Sequence, residues 1–126
     1  MSCTAWNACT AVGDTSNNAA APLIERWNGT AWSIVAGAST GDYTSLSSVS
    51  CSSSTSCVAV GVDAASNGAL IEQWDGSTWT IVPTAHRPGA TFDYLWGVSC
   101  LSSTECFATG YAHSSLYNYT FVERSA

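Results

Sequence analysis

Residues 49–61 read VSCSSSTSCVAVG, and residues 98–110 read VSCLSSTECFATG. Residues 2–13, SCTAWNACTAVG, carry the same device: two cysteines with five residues between them, then a short run closed by glycine. Cys3, Cys51 and Cys100 are 48 and 49 residues apart, and so are Cys9, Cys57 and Cys106. A fixed period of this length marks a repeated supersecondary unit. A second element keeps step: PLIERWNGTAWSIV at 22–35 and ALIEQWDGSTWTIV at 69–82, with TFVERSA at 120–126 opening a third copy.

In the middle copy, Leu46–Cys51, Cys57–Gly61, Leu70–Trp74 and Trp79–Val82 are rich in Val, Ile and Trp and are bounded by Gly, Asn, Asp and Ser. They predict four strands, A to D. No window carries a helical period. Four strands in a unit of about 40–50 residues describe the blade of a β-propeller. The expected fold is all-β, with about two and a half four-stranded antiparallel blades in a single repeat domain. Its units are 1–41 (lacking most of strand A), 42–90, and 91–126 (lacking strand D), ten strands in all.

The paired cysteines fit this plan. Directly opposed residues of two antiparallel strands lie ~4.5–5.5 Å apart at Cα, within the range a disulfide accepts. The expected bridges are Cys3–Cys9, Cys51–Cys57 and Cys100–Cys106, one in each A–B hairpin. Zinc is the rival reading, but structural zinc sites favour about two to four residues between ligands, and no His accompanies these pairs. Between strands C and D, Asn28-Gly29 and Asp75-Gly76 signal turns with positive φ. A two-residue loop there pairs Trp27 with Thr30 and Glu25 with Trp32. A four-residue loop leaves the same side chains on one face. The recurrence of Trp27/Trp32 and Trp74/Trp79 in register with the repeat argues for packing between neighbouring blades over an aromatic ligand platform.

These residues resemble the roughly 50-residue repeats of large secreted actinobacterial proteins, which are read as propellers. They are also similar, more distantly, to Asp-box propellers such as sialidases and the photosystem II assembly-factor propellers. Val49, Val58-Ala59-Val60-Gly61, and Asp75-Gly76 with Thr78-Trp79 fall where those families carry an L-x-x-V-x-F strand, a G-W-A-V-G strand and a D-x-G-x-T-W turn. The turn here is one residue short of an Asp box, and cysteines stand where those families have aromatics or glycine. The resemblance implies architecture rather than activity.

Composition narrows the function classes. Among 126 residues only 10% are charged, where about a quarter is usual, and 34 Ser and Thr supply polarity instead. The cations are Arg26, Arg87 and Arg124, against nine carboxylates, for a net charge of −6. Nucleic acid and anionic membrane surfaces call for several cations and are not expected partners. No apolar run reaches the ~18 residues of a membrane span. Met1-Ser2-Cys3 runs straight into the first repeat without a signal peptide, while six cysteines in three pairs argue for an oxidising compartment. The expectation is an extracellular or cell-surface location, as a piece of a longer secreted protein whose leader lies elsewhere.

Chain direction places the A–B staples and C–D turns at one end of the blades and the B–C and D–A loops at the other. The second set is where the copies stop matching, and unlike loops on a repeated scaffold carry binding. They hold His86, Arg87, Asp93, Tyr94, Tyr111, His113 and Tyr117, with Asp42, Tyr43 and Tyr119 beside them. Tyr, Asn, Ser and a few charges suit glycan or protein surfaces. Trp6, where the other copies have Ser54 and Ser103, is the odd aromatic at the stapled end.

The sequence offers no Gly-x-Ser-x-Gly elbow and no metal-binding His pair. A sialidase-like site needs converging arginines, yet Arg26 and Arg124 take matching strand-C positions in separate copies. Calcium binding by Asp42, Asp63 or Asp93 lacks clustered oxygen ligands. The expectation is a non-catalytic binding module without cofactor or metal. A purely structural repeat or assembly unit is the alternative, and an Asp-box-type glycosidase fragment comes third. Self-association, or further blades of a longer parent, is expected to close the open arc. Asn28-Gly29-Thr30 and Asn118-Tyr119-Thr120 are N-glycosylation sequons, and the sequence does not decide their use.

Overall fold

The computed structural model describes residues 1–15, 21–38, 43–64, 68–84, 90–115 and 118–125. Eleven strands are found among them, in three antiparallel sheets that follow chain order. The first sheet holds β1 (Ser2–Ala5), β2 (Ala8–Asp14), β3 (Pro22–Trp27) and β4 (Trp32–Val35). The second holds β5 (Thr44–Ser53), β6 (Ser56–Asp63), β7 (Gly68–Trp74) and β8 (Trp79–Ile81). The third holds β9 (Phe92–Ser102), β10 (Glu105–His113) and β11 (Asn118–Ser125).

Two expectations shift. The short stretch after Met1 pairs with β2 as a strand of its own, which makes eleven strands rather than ten. The middle strands also outrun their apolar stretches, because Thr44, Ser45 and Ser53 continue the backbone ladder without needing apolar side chains.

All three disulfides form inside their hairpins, each with Cα atoms 4.0 Å apart. That spacing belongs to opposed residues that do not exchange hydrogen bonds (~4.5 Å), where side chains lie nearest each other. Disulfides of this kind fit an oxidising compartment outside the cell. No helix among the described residues is long and apolar enough to cross a membrane.

Register carries each bridge across its sheet. Cys9 pairs with Trp27 and Trp27 with Trp32; Cys57 pairs with Trp74 and Trp74 with Trp79. A row of two cysteines and two tryptophans therefore crosses each of the first two sheets on one face. In the third sheet Ser125 takes the Trp position, opposite Cys106.

The C–D turns are four-residue loops. Asn28 Oδ1 accepts the N–H groups of Thr30 and Ala31, both at 2.9 Å, and Asp75 Oδ1 accepts those of Ser77 and Thr78, both at 2.8 Å. Gly29 and Gly76 have φ of 96° and 101°, conformations that favour glycine. A Cβ on Gly29 would stand 2.8 Å from Asn7 Cβ, and one on Gly76 would stand 3.1 Å from Thr55 Cβ. Staple tip and Trp turn thus meet at one end of the first and of the second sheet.

The sheets stack face on face. The face carrying the Cys–Trp row is called the front here. Val12, Ile24 and Val35 on the back of the first sheet pack against Leu46, Val49, Cys57, Ala59, Leu70, Trp74 and Trp79 on the front of the second. Val58, Val60 and Ile71 on the back of the second pack against Leu95, Cys106, Ala108 and Ala112 on the front of the third. The Trp rows accordingly differ in fate. Trp79 is 5% exposed beneath the first sheet, whereas Trp32, on the uncovered front of the first sheet, is 42% exposed. Packing between sheets is the role of the covered pair.

Two predictions follow from the staples and turns. The C3A/C9A and C51A/C57A double variants lose the same loop-closure contribution, about 2 kcal/mol on the chain-entropy model. The second pair should cost more in a urea melt, because Cys57 is buried between two sheets. Equal costs would contradict that packing. Separately, the N–H groups of Thr78 and then Ser77 hold the Asp75 carboxyl below its ordinary value of 3.8. A depressed carboxyl stabilises the fold above its unfolded value, and the contribution disappears as pH falls through the folded one. D75N, which reproduces the chemistry of Asn28, should therefore show a smaller fall in melting temperature than wild type below about pH 4.

Candidate functional site

The end of the sheets away from the staples is built by a bulge. Thr109 pairs with Gly97 but the next residue, Gly110, pairs with Leu95, so Trp96 is an extra residue in β9. The second sheet has the same irregularity: Val60 pairs with Ser48 and Gly61 with Leu46, leaving Ser47 extra. A Cβ on Gly110 would lie 1.9 Å from the Tyr94 carbonyl oxygen, and one on Gly61 would lie 1.9 Å from that of Ser45. Only glycine permits this approach of backbone to backbone, and a bulge re-aims the side chain at its extra position.

Trp96 is thereby turned outward, 65% exposed. It joins an aromatic group on the back of the third sheet. Tyr94 lies 4.3 Å from Phe92, 5.9 Å from Tyr111 and 6.3 Å from Trp96, ring centre to ring centre. The ladder explains the gathering. Tyr94 pairs with Tyr111 and Phe92 with His113, so strand alternation puts all four on one side. Thr91 ties the rim by donating from its N–H (2.7 Å) and its hydroxyl (3.1 Å) to the His113 carbonyl. The matching positions in the second sheet are Tyr43, Ser45, Ser47 and Val62. The scaffold repeats, and the aromatic surface does not.

Of the sequence candidates, Tyr94, Tyr111 and His113 come together here. Asp93 does not join them: it is 2% exposed and faces the second sheet, one residue out of phase with Tyr94. His86, Arg87, Tyr117 and Asp42 lie outside the described residues. Phe92 and Trp96 were not among the candidates. The alternation of aromatics at 92, 94 and 96 was the available signal, hidden by treating the segment through Tyr94 as loop.

The stapled end is a separate constellation. Trp6 is 81% exposed, and its carbonyl accepts the indole N–H of Trp27 at 3.2 Å. In the second sheet the Ser54 carbonyl accepts the indole N–H of Trp74 at 3.3 Å. There it also takes a second donor, Arg26 Nη2 at 3.0 Å, whose guanidinium lies 4.8 Å over the Trp74 ring. Arg26 reaches across from the first sheet, so a cation–π contact and a hydrogen bond join two sheets. Glu72, fully buried on the same front face, accepts the Ala38 N–H at 3.2 Å.

Chemically, the aromatic surface offers stacking area with hydroxyl and imidazole donors at its edge. Among the described residues no group of three or more His, Cys, Asp or Glu is placed to hold a metal ion. No family model, curated protein or solved structure matches this chain.

The bulge gives a sharp contrast between neighbours. W96A should leave the melting temperature within about a degree or two of wild type, since it removes an exposed ring. L95A deletes a side chain buried between sheets and should cost about 2–5 kcal/mol. A large loss in W96A would mean that β9 is out of register with the assignment above.

Proposed function

We propose that the chain is a non-catalytic extracellular recognition module whose sheets are blades of a β-propeller, and that it engages a glycan or protein surface at Phe92, Tyr94, Trp96 and Tyr111. The observation that carries the reading is the non-repeated aromatic cluster, half-buried Phe92, Tyr94 and Tyr111 around exposed Trp96, at the end where the copies diverge. Aromatic rings with two χ angles present large contact area at small entropic cost, and Tyr adds a hydroxyl for orientation. His113, which pairs with Phe92 across the ladder, extends the polar rim. A propeller is supported by three meander sheets in chain order, each with its back on the front of the next. Membership in the actinobacterial repeat family rests on the motif resemblance alone.

The non-catalytic reading is supported by the commitment of Arg26 to Trp74 and the Ser54 carbonyl. That arginine contributes nothing to a substrate carboxylate, which a sialidase-like mechanism would require. The low charge, with acidic groups in excess, favours a neutral glycan over an anionic one.

The test is a glycan array probed with wild type and with Y94A and W96A variants. A specific hit should weaken by about tenfold or more in each variant, since an aromatic anchor carries a large share of such a contact. Binding indifferent to both substitutions, or silence across the array, would overturn the glycan arm of the proposal.

A further inference from the structure

The first sheet covers the front of the second, and the second covers the front of the third. Among the described residues, none packs against the front of the first sheet or the back of the third. The covered interface shows what such a front requires. Its first requirement is a hydroxyl. Ser2 Oγ accepts the Cys51 N–H, and Ser50 Oγ accepts the Cys100 N–H, each at 3.0 Å. Each bond takes the outward N–H of an edge strand that has no further strand to pair with. Ser99 is the same repeat position on the third sheet and is exposed; Cys3 is the matching cysteine of the first.

The second requirement is a cation, and the repeats differ in it informatively. Arg26 in β3 goes with Trp74 in the following sheet. The second sheet has Gln73 at this position, and the following sheet has Ser125 where Trp74 would be. An arginine is present where the next front carries tryptophan and absent where it does not. The third sheet has Arg124 at this position, opposite Phe107. The front that matches it carries Trp27, with the Trp6 carbonyl placed as Ser54 is.

The geometry points to a second copy of this chain as the occupant: the back of its third sheet seats on the front of the first sheet, head to tail. In this seating the Arg124 position of β11 meets Trp27 and the Trp6 carbonyl as the Arg26 position meets Trp74 and the Ser54 carbonyl, and the Ser99 hydroxyl accepts the Cys3 N–H. The contact unites two unlike faces, so it is heterologous and grows into a ring or a filament. The aromatic surface is not consumed. Its counterparts in the second sheet stay accessible although that back face is covered: Tyr43 is 60% exposed and Ser47 is exposed.

Sedimentation velocity on the 126-residue chain at micromolar concentrations tests the seating. Wild type should sediment as species larger than the 13.1 kDa monomer. R124E and W27E should each weaken association by about tenfold or more, with circular dichroism unchanged. Mixing the two variants should restore a 1:1 dimer and stop there, because R124E keeps an intact front and W27E an intact back. W96A should leave association untouched, which separates this contact from the proposed ligand surface. A monomeric wild type, association that survives both substitutions, or a mixture that fails to complement would overturn the proposal.

Discussion

Each sheet depends on a covalent constraint at one place in its register. A disulfide between directly opposed cysteines removes the freedom of the A–B hairpin to slip by a residue, and a one-residue slip would exchange the two faces. From that fixed point the ladder carries the tryptophans into line: Cys57 opposite Trp74, Trp74 opposite Trp79. At the far side of the row the Asx turns close the last hairpin, with Asp75 holding two backbone N–H groups. The bridge itself closes a short loop and so contributes modestly through chain entropy. Its larger consequence is positional, because a front face fixed at the staple presents the correct residues to the back of its neighbour.

This arrangement also accounts for the unusual composition. The faces between sheets are lined largely by Ala, Val, Ile, Leu, Cys and Trp, and serine hydroxyls and backbone carbonyls meet part of their polar needs. Ser2 and Ser50 satisfy edge-strand N–H groups, and the buried carboxylate of Glu72 accepts the Ala38 N–H. Small hydroxyl side chains let the sheets approach closely and lose little rotamer entropy when ordered. The few charged side chains on these faces are given partners, as Glu72 is by the Ala38 N–H and Arg26 by the Ser54 carbonyl and the Trp74 ring.

The repeat made much of the fold legible. Equal cysteine spacing gave the bridges, and the Asn-Gly and Asp-Gly turns gave the C–D hairpins, because both signals are local and their physics is short-ranged. Loop length was harder, since the choice between two and four residues rests on the Asx side chain, and Trp27 meets Trp32 only in the longer form. The bulge was hidden altogether. Its extra residue is Ser47 in one copy and Trp96 in another, and the glycine that permits it reads as a strand end. Missing it placed Asp93 with Tyr94, although they face opposite ways, and left Trp96 and Phe92 out of the site. Arg26 over Trp74 was illegible for a different reason: it joins residues one full repeat apart, a contact between units that no local pattern announces.

A repeated scaffold normally conceals which differences between copies matter, because each position is free to drift. Here the differences are linked across an interface. Arginine stands before tryptophan at the covered front of the second sheet, and glutamine before serine at that of the third. The Arg26–Trp74 contact shows how one back can be matched to the front it covers, as specificity between similar surfaces requires. The same chemistry separates the two ends of the second and third sheets. At the stapled end the side chains serve sheet-to-sheet matching, through the cysteines, the tryptophans and Arg26. At the bulged end the backbone turns outward and releases positions 43, 45, 47 and 62 of the second sheet, and 92, 94, 96 and 111 of the third, from that duty. Aromatic residues gather at this end of the third sheet, where packing against a neighbour does not dictate what stands there: Phe92, Tyr94 and Tyr111 are half-buried around Trp96, and a ring 65% exposed on such a patch needs a reason other than packing.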